Sequence, residues 1–234
     1  MKAGIIAAGL GERLVAAGIT QPKPLVPVAG RALIDYALAA VAAAGLRAVA
    51  CIVNEQSRGI EDHCRSAFPQ LHFDFVRRTT PSSMESVFTL APFLRDERFV
   101  LLTVDAVFPP AVLQDFLARA GRRTADAVLA VSDFVDDEKP LWVRIGADGR
   151  VEALGQPAQG SGLVTAGFYV FEPVIFREVA AARTGGFTAL RQFLGHLLAS
   201  GYRVDGEPVP KTVDVDRPED IAAADAYVRA EFTG

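Results

Sequence analysis

Four residues near the N-terminus could together bind a polyphosphate. Gly9 and Gly11 follow a short apolar run, and two glycines one residue apart allow a sharp turn that brings backbone N–H groups close to an anion. Arg13 carries a guanidinium whose donors can fork onto phosphate oxygens. Lys23 stands between two prolines, which stiffen the backbone on both sides of it. This pattern predicts a phosphate-binding loop supported by a fixed arginine and a fixed lysine.

Three aspartates could hold a divalent metal ion beside that loop. Asp105 follows the apolar run 99–103, and open parallel sheets place their ligand-binding groups at the carboxyl ends of strands. Asp214 and Asp216 lie in a second, short strand-like segment before the last predicted helix. Carboxylates from two strand ends suit Mg²⁺, which takes a few hard oxygens and leaves its other positions to waters and nucleotide phosphates. Either of Asp214 and Asp216 could instead be the N-cap of the last helix.

The elements that must position these residues alternate between strands and helices in the first half of the chain. Such alternation implies right-handed βαβ units and a largely parallel sheet. In the second half strands predominate, and an Ala-Asp-Gly turn at 147–149 predicts a hairpin. The predicted strands are 3–8, 48–53, 72–76, 99–103, 127–131, 142–145, 151–154, 163–171, 202–208 and 212–216. The predicted helices are 33–44, 57–68, 84–94, 109–120, 173–182, 188–199 and 218–232.

Composition narrows the class of protein. The chain has 234 residues, of which 50% are hydrophobic, so we expect an ordered globule with a substantial core. A net charge of −4 argues against a nucleic-acid-binding surface. No apolar run reaches the roughly 18 residues that cross a bilayer, and the start of the chain lacks a secretion signal, so we expect no membrane partner and a cytoplasmic location. Cys51 and Cys64 form no CxxC pair, which indicates neither a disulfide framework nor a zinc site.

Several segments resemble, in the correct order, the signature of nucleotidyltransferases that activate sugar phosphates. GIIAAGLGERL followed by PKPLVPVAGRALIDYAL is similar to the Gly-x-Gly-x-Arg loop and Pro-Lys-Pro-Leu segment of that family. LLTVDAVF resembles its metal-aspartate strand, AGFYVF its sugar-pocket strand and VDVDRPEDIAAA its closing motif. The resemblance covers the chain from about Lys2 to Ala224. It implies an α/β, Rossmann-like three-layer nucleotidyltransferase fold with a mostly parallel mixed sheet and a small antiparallel insertion.

The same resemblance implies a role for each matching position. Arg13 would grip the β- and γ-phosphates, and Lys23 would stabilise charge on the phosphates during transfer. Asp105 would bind Mg²⁺ with an acidic residue of the 214–216 segment, for which Asp214 is favoured over Asp216. The implied nucleotide-binding residues are Ala7, Ala8, Gly9, Leu10, Gly11, Glu12, Arg13, Lys23 and Ser83. The implied acceptor-binding residues are Ala166, Gly167, Lys139 and Lys211.

The implied reaction joins an NTP to a phosphorylated small-molecule acceptor. A phosphate oxygen of a sugar 1-phosphate attacks the α-phosphorus of the NTP, pyrophosphate leaves and an NDP-sugar forms, with Mg²⁺ as cofactor. We expect one domain over residues 1–234, with a nucleotide-binding half at about 1–130 and an acceptor-binding half at about 131–234.

Some positions depart from the family pattern. Glu12 stands where Thr or Ser is common, and the serine-rich stretch 79–86 lacks the glutamine-containing motif of many members that use UTP or dTTP. That stretch looks more like short cytidylyltransferases that act on phosphocholine or other phosphorylated alcohols. The Glu-Lys-Pro sequence that contains Lys139 precedes the predicted hairpin, although the family places this motif after the hairpin.

Three alternative functions belong to other classes of protein. A non-catalytic nucleotide-binding protein on the same fold would keep the loop without transferring a nucleotide. A glycosyltransferase of similar layers would not need Lys23. A dinucleotide-dependent oxidoreductase is disfavoured, because the loop does not have Gly-x-Gly-x-x-Gly spacing. Residue types leave the base, the acceptor and the oligomeric state open.

Overall fold

The computed structural model describes residues 1–134 and 140–232 of the chain. Within them, the strands in chain order are β1 (Lys2–Ala7), β2 (Pro27–Val28), β3 (Arg31–Ala32), β4 (Ala48–Val53), β5 (His72–Arg77), β6 (Phe99–Thr103), β7 (Ala106–Val107), β8 (Ala127–Ser132), β9 (Val143–Ile145), β10 (Val151–Leu154), β11 (Val164–Phe171), β12 (Val204–Pro208) and β13 (Val213–Asp214). The α-helices are α1 (Glu12–Ala16), α2 (Leu33–Ala43), α3 (Ile60–Ala67), α4 (Ser83–Leu94), α5 (Pro110–Ala120), α6 (Val179–Thr184), α7 (Leu190–Ala199) and α8 (Pro218–Glu231). Short 3-10 turns occur at Lys23–Leu25, Gln156–Ala158 and Pro173–Glu178.

Seven strands form one mixed sheet in the order β12-β8-β11-β6-β1-β4-β5. The pairs β6–β1, β1–β4, β4–β5 and β12–β8 are parallel, whereas β11 runs antiparallel to both of its neighbours. This topology confirms the predicted α/β fold with a mostly parallel mixed sheet. The predicted antiparallel hairpin is also present, as β9 paired with β10.

The sheet is covered on both faces, which explains why its strands read as continuous apolar runs. Successive side chains of a strand point to opposite faces. Ile5 of β1 therefore packs in a core cluster with Leu38 of α2 and Phe116 of α5. Its neighbour Ile6 packs in a second cluster with Phe193 of α7 and with residues of α4. Two helical layers around one sheet confirm the three-layer arrangement.

Some boundaries differ from the predicted ones for local reasons. The helix predicted over 57–68 begins only at Ile60, because Gly59 has a φ of 80°, in the left-handed region that a helix cannot include. The helix predicted over 173–182 is a 3-10 turn followed by α6. These differences concern the ends of elements. The structure also contains α1, β2, β3 and β7, short elements that the sequence analysis did not predict.

The beginning of α8 corrects one reading of the sequence. The N-cap of this helix is Arg217, and Pro218 occupies its first turn. The carboxylate of Asp220 accepts the backbone N–H groups of Asp216 and Arg217 at 2.8 and 2.7 Å. The interpretation of Asp214 or Asp216 as the N-cap is therefore wrong, which leaves both carboxylates available to the site described below.

Two further sequence expectations concern disulfides and membranes. Cys51 and Cys64 are both buried and both free, and burial raises the pKa of the Cys64 thiol to about 12. Among residues 1–134 and 140–232, we find no helix with the length and apolar character needed to cross a membrane.

Candidate active site

The predicted site residues gather where three strands end. The glycine loop follows β1, and Asp105 follows the neighbouring strand β6. The short strand β13 pairs antiparallel with β7, so that Asp214 lies opposite Ala106. The backbone N–H of Val215 donates to the carbonyl of Asp105 at 3.0 Å, which ties the two segments together. Asp105 and Asp214, which are more than 100 positions apart in the chain, are thereby held together near the carboxyl ends of the central strands.

Lys23 is the best-buried charged group of this site. Its side chain is only 7% exposed, and its Nζ donates to Asp105 Oδ2 at 2.9 Å. The same Nζ also donates to Asp216 Oδ1. Asp216 in turn has its Oδ2 at 3.8 Å from a terminal nitrogen of Arg13. The structure therefore joins the predicted cations and two of the predicted carboxylates in one ion-pair network.

The charges of this network reinforce one another. Burial acts to lower the pKa of Lys23, but the carboxylates of Asp105 and Asp216 outweigh it and raise that pKa above its ordinary value. Burial likewise acts to raise the pKa of Asp105, but Lys23 and the hydroxyl of Thr103 outweigh it and lower that pKa. At neutral pH the site therefore holds a fixed ammonium beside a fixed carboxylate.

Glycine is required at one position of the loop. Gly11 has a φ of 63°, and a Cβ built on it would lie 3.0 Å from the Cβ of Lys23. A side chain there would be strained by its backbone conformation and would press on the lysine. Gly9 has open space around it, so its role is not imposed by packing.

The remaining loop residues differ in what they expose. Ala7 and Ala8 are buried, which leaves only their backbone groups for a ligand. The exposed residues are Gly9, Leu10, Glu12 and Arg13. Ser83 begins α4, and its hydroxyl accepts the backbone N–H of Leu190 at 3.2 Å.

A cleft with a volume of about 300 Å³ adjoins the ion-pair network. The predicted site residues that line it are Arg13, Ser83, Asp105, Gly167, Asp214 and Asp216. Sequence reasoning missed Tyr169, Arg191 and Arg217, which also line it. Tyr169 could have been found, because it follows Gly167 by two positions on β11 and strands alternate with a period of two. We find no sequence signal for Arg191.

The side chains of two predicted acceptor-binding residues, Ala166 and Lys211, do not line the cleft. The side chain of Ala166 is buried in the core, because its neighbour Gly167 takes the face of β11 that lines the cleft. A role for Ala166 would therefore rest on its backbone. The ammonium of Lys211 lies 3.8 Å from the centre of the Phe134 ring, a cation–π contact, and Lys211 is not among the described residues that line the cleft. Lys139 lies outside the described residues.

The predicted metal ligands do not form a complete metal-binding site by themselves. Within the described part of the chain, no three His, Cys, Asp or Glu side chains are grouped closely enough to hold a metal ion. The oxygens of Asp105 and Asp216 instead hold Lys23. Asp214 lines the same cleft, and a Cβ placed on Gly167 would lie 3.9 Å from its Oδ1. Two carboxylates at the rim of a phosphate-binding cleft still fit Mg²⁺, which takes most of its ligands from nucleotide phosphates and water.

Comparison with known proteins assigns the family. The model of the MobA-like NTP transferase domain matches residues 3–200. The chain therefore belongs to the MobA-like NTP transferase family. This assignment confirms the resemblance to nucleotidyltransferases seen in the glycine loop and the Pro-Lys-Pro-Leu segment.

Three relatives illustrate what this chain is similar to. A CMP-5'-(3-aminopropyl)phosphonate synthase from Streptomyces rubellomurinus is 32% identical over 160 residues, covering 59% of this chain and 25% of that protein. A glucose-1-phosphate thymidylyltransferase from Streptomyces antibioticus is 30% identical over 213 residues, covering 86% of this chain and 58% of that protein. A UTP–glucose-1-phosphate uridylyltransferase from Haloferax volcanii is 25% identical and covers 100% of this chain and 98% of that protein. The chain thus spans a quarter and somewhat over half of the first two relatives.

Solved structures with the same fold include two at TM-scores near 0.8. The inositol-1-phosphate CTP transferase from T. maritima has a TM-score of 0.80 and 19% identity, covering 97% of this chain and 96% of that one. A UDP-glucose pyrophosphorylase complexed with UDP-glucose has a TM-score of 0.81 and 20% identity, covering 98% of this chain and 99% of that one. At these identities the likeness establishes the fold.

Proposed function

We propose that this protein catalyses Mg²⁺-dependent transfer of a nucleotidyl group from an NTP to a sugar 1-phosphate, giving an NDP-sugar and pyrophosphate. The observation that carries the proposal is the buried Lys23, held beside Asp105 and packed against Gly11 of the glycine loop. A buried cation at the carboxyl end of a central strand is suited to a ligand that brings several negative charges. The relatives that act on glucose 1-phosphate support the same class of acceptor.

The acceptor phosphate needs no activation in this reaction, whereas the site must offset the repulsion between the two substrates. A phosphate monoester has a second pKa of about 6, so it is already largely ionised at neutral pH and needs no general base. Its oxygen forms a bond to the α-phosphorus of the NTP, while the bond from that phosphorus to the bridging oxygen breaks and pyrophosphate leaves. The main obstacle is the repulsion between two polyanions, and fixed positive charge in a cleft is an effective remedy.

The chain's own residues supply that charge. Lys23 would stabilise negative charge on the reacting phosphates. Arg13 would donate two hydrogen bonds to the outer phosphates of the NTP. Backbone groups of the 7–12 loop, together with Ser83, would position the nucleotide. Asp105 and Asp214 would hold Mg²⁺, with Asp216 keeping Lys23 and Arg13 in place. When bound, the metal ion would neutralise charge on the phosphates and help to align the reacting groups.

A second candidate keeps the reaction but changes the substrates. It is transfer of a cytidylyl group to a phosphorylated alcohol such as phosphocholine or inositol phosphate. The serine-rich 79–86 stretch favours it, as does the similarity to a CMP-phosphonate synthase. A third possibility is a nucleotide-binding protein on the same fold without catalysis. The location in the cytoplasm stays a prediction.

The deciding experiment is pyrophosphate release with Mg²⁺, pairing each common NTP with a panel of acceptors. The panel contains glucose 1-phosphate, inositol 1-phosphate, phosphocholine and (3-aminopropyl)phosphonate. Release with a sugar 1-phosphate supports the first candidate, and release with CTP and a phosphorylated alcohol or a phosphonate supports the second. If no pair of substrates releases pyrophosphate, both candidate reactions are refuted. Binding of an NTP measured by calorimetry would then favour the non-catalytic protein.

A further inference from the structure

The acceptor side of the cleft holds an arginine that no sequence motif marks. Arg191 lies in the first turn of α7 and lines the cleft together with its neighbours Ala189 and Leu190. The backbone N–H of Leu190 donates to the hydroxyl of Ser83, the first residue of α4, at 3.2 Å. This contact fixes the start of α7 against the start of α4. The position of Arg191 at the cleft is therefore set by the scaffold.

Tyr169 connects Arg191 with the carboxylate end of the cleft. The tyrosine side chain is 5% exposed and lies on β11 two positions after Gly167. Burial raises its pKa to about 12, although a hydrogen bond with Thr165 acts to lower that pKa. Tyr169, Arg191 and the carboxylates of Asp105 and Asp214 all line this one cleft. That phenol keeps its proton at neutral pH and can serve as a hydrogen-bond donor.

The side chains that line the cleft include several carboxylates, whose negative charge disfavours binding of an anionic acceptor. Four carboxylates line the cleft, namely Asp105, Asp214, Asp216 and Asp220. The cations of the nucleotide end, Lys23 and Arg13, are both engaged with this group. An anionic acceptor would be repelled unless a further cation met it. Of the two other arginines that line the cleft, Arg217 lies next to Asp216 at the carboxylate end, whereas Arg191 lies at the start of α7. The sequence contains no lysine between 139 and 211, so a cation from that segment must be an arginine.

We propose that Arg191 recognises the phosphoryl or phosphonyl group of the acceptor, with the Tyr169 hydroxyl as a second donor to the same group. This inference rests on the proposed function and adds the residue that selects an acceptor with a phosphorus-bound anionic group. Arginine suits the task because its planar fork matches two oxygens of such a group at once.

The test separates the acceptor from the nucleotide in steady-state kinetics. Using the acceptor that gives the strongest pyrophosphate release in the panel above, we compare the wild type with Arg191→Gln and Arg191→Lys. We expect Arg191→Gln to raise the KM for the acceptor about 10- to 100-fold, as loss of a charge-assisted contact does, while the KM for the NTP changes less than about twofold. Arg191→Lys keeps the charge but not the fork, so its effect should be smaller.

A matched control and a second variant sharpen the result. Arg144→Gln removes an arginine of β9 that pairs with Glu152 and does not line the cleft, so both KM values should stay unchanged. Tyr169→Phe removes only the hydroxyl and should raise the acceptor KM by a smaller factor than Arg191→Gln. An acceptor KM that is unchanged in Arg191→Gln, or a KM for the NTP that rises equally, would overturn the inference.

The failure of this inference can be told apart from failure of the proposed function. If the wild type releases no pyrophosphate with any pair, the proposed function is refuted on its own. Calorimetric titration of glucose 1-phosphate into the wild type and Arg191→Gln then decides the role of Arg191. Binding at least tenfold weaker in the variant supports that role. Equal binding, or no binding to the wild type, refutes it.

Discussion

At the scale of the residue, Lys23 is unusual because a lysine is seldom buried unless it is paired. Its two carboxylate partners, Asp105 and Asp216, are 82 and 193 positions away in the chain. The neighbouring prolines restrict the backbone, and the 3-10 turn Lys23–Leu25 begins at the lysine itself. The lysine is thus held by its own backbone and by distant partners, an arrangement that favours a single position for its charge.

We expect Lys23→Met to reduce turnover for pyrophosphate release at least 100-fold, as loss of one preorganised charge-stabilising group commonly does. The free energy of unfolding should fall by about 1–2 kcal/mol, because Asp105 and Asp216 lose their shared partner while remaining partly hydrated. Turnover and urea unfolding measure the two effects. Lys2→Met serves as the control, since Lys2 contacts only the carbonyl of Phe93 among its described hydrogen-bond partners. Normal turnover in Lys23→Met would remove the lysine from the mechanism.

Gly167 is a second position where the residue type is imposed by the fold. Its φ is 82°, and an added Cβ would lie 2.8 Å from the Cβ of Ala106 and 2.9 Å from Thr103 Oγ1. We expect Gly167→Ala to lower the free energy of unfolding by about 2–4 kcal/mol, from backbone strain and overpacking together. Urea unfolding measures this loss. Gly9→Ala, which meets no atom within 4 Å, should leave stability nearly unchanged; equal effects in the two variants would contradict the packing argument.

At the scale of the element, the hairpin of β2 and β3 contains a strained turn. Val28 pairs with Arg31, so Ala29 and Gly30 form a two-residue loop, and both have positive φ, 47° and 79°. This is the signature of a type I′ turn, which favours Asn or Gly at its first central position. Ala29 keeps its place with a backbone N–H that donates to Asp225 Oδ1 at 2.5 Å.

We therefore expect Ala29→Asn to raise the free energy of unfolding by about 0.5–1 kcal/mol, because asparagine tolerates the left-handed region better than alanine. The backbone hydrogen bond to Asp225 is retained in this variant. Urea unfolding of Ala29→Asn and Ala29→Val provides a matched comparison, since a β-branched residue should lower stability at the same position. The prediction fails if the two substitutions shift stability in the same direction.

Strand β12 illustrates an element whose presence was predicted but whose environment was not. Asp205 is fully buried and Glu207 is nearly so, although both are charged. Arg119 and Arg123 donate to the carboxylate of Glu207 at 2.7 and 2.8 Å, and Arg203 donates to Asp205 at 3.2 Å. Burial of such carboxylates is tolerated because Arg119 of α5, Arg123 of the following loop and Arg203 just before β12 pair with them. The order of residues in β12 alone does not show that these partners exist.

At the scale of the whole molecule, several carboxylates link distant elements and have lowered pKa values. Glu85 of α4 forms a two-pronged ion pair with Arg183 of α6, which lowers the pKa of Glu85. Hydrogen bonds from His196 and Tyr202 lower the pKa of Glu178. Because the folded pKa lies below the unfolded one, the folded state binds fewer protons in acid. The stability from these pairs is present above about pH 4–5 and is lost as pH falls through the folded pKa values.

We expect the free energy of unfolding to fall as the pH is lowered from 6 to 3, and to fall less steeply in Glu85→Gln and Glu178→Gln. The double variant should have the shallowest dependence, since the two carboxylates share no partner. Urea unfolding at a series of pH values measures these slopes. Slopes identical to that of the wild type would show that these two carboxylates do not govern acid stability.

Several parts of this protein depend on local patterns and can be predicted from the sequence. Buried strands such as β1, the glycine turn after it, the helix predicted over 84–94 and the alternation that implies a parallel sheet all follow from neighbouring residues. Such features could be predicted because backbone propensity, turn chemistry and hydrophobic period act over a few positions.

Which charged groups pair with one another depends on the tertiary structure. Nothing near Lys23 in the chain indicates that Asp105 and Asp216 share its ammonium, and nothing near Arg191 indicates that α7 begins at a cleft. The same holds for Ala166, whose side chain turns into the core while Gly167 lines the cleft. The physical reason is that the burial and the pKa of a charged group are set by its partners in space, and those partners are chosen by sheet order and helix packing.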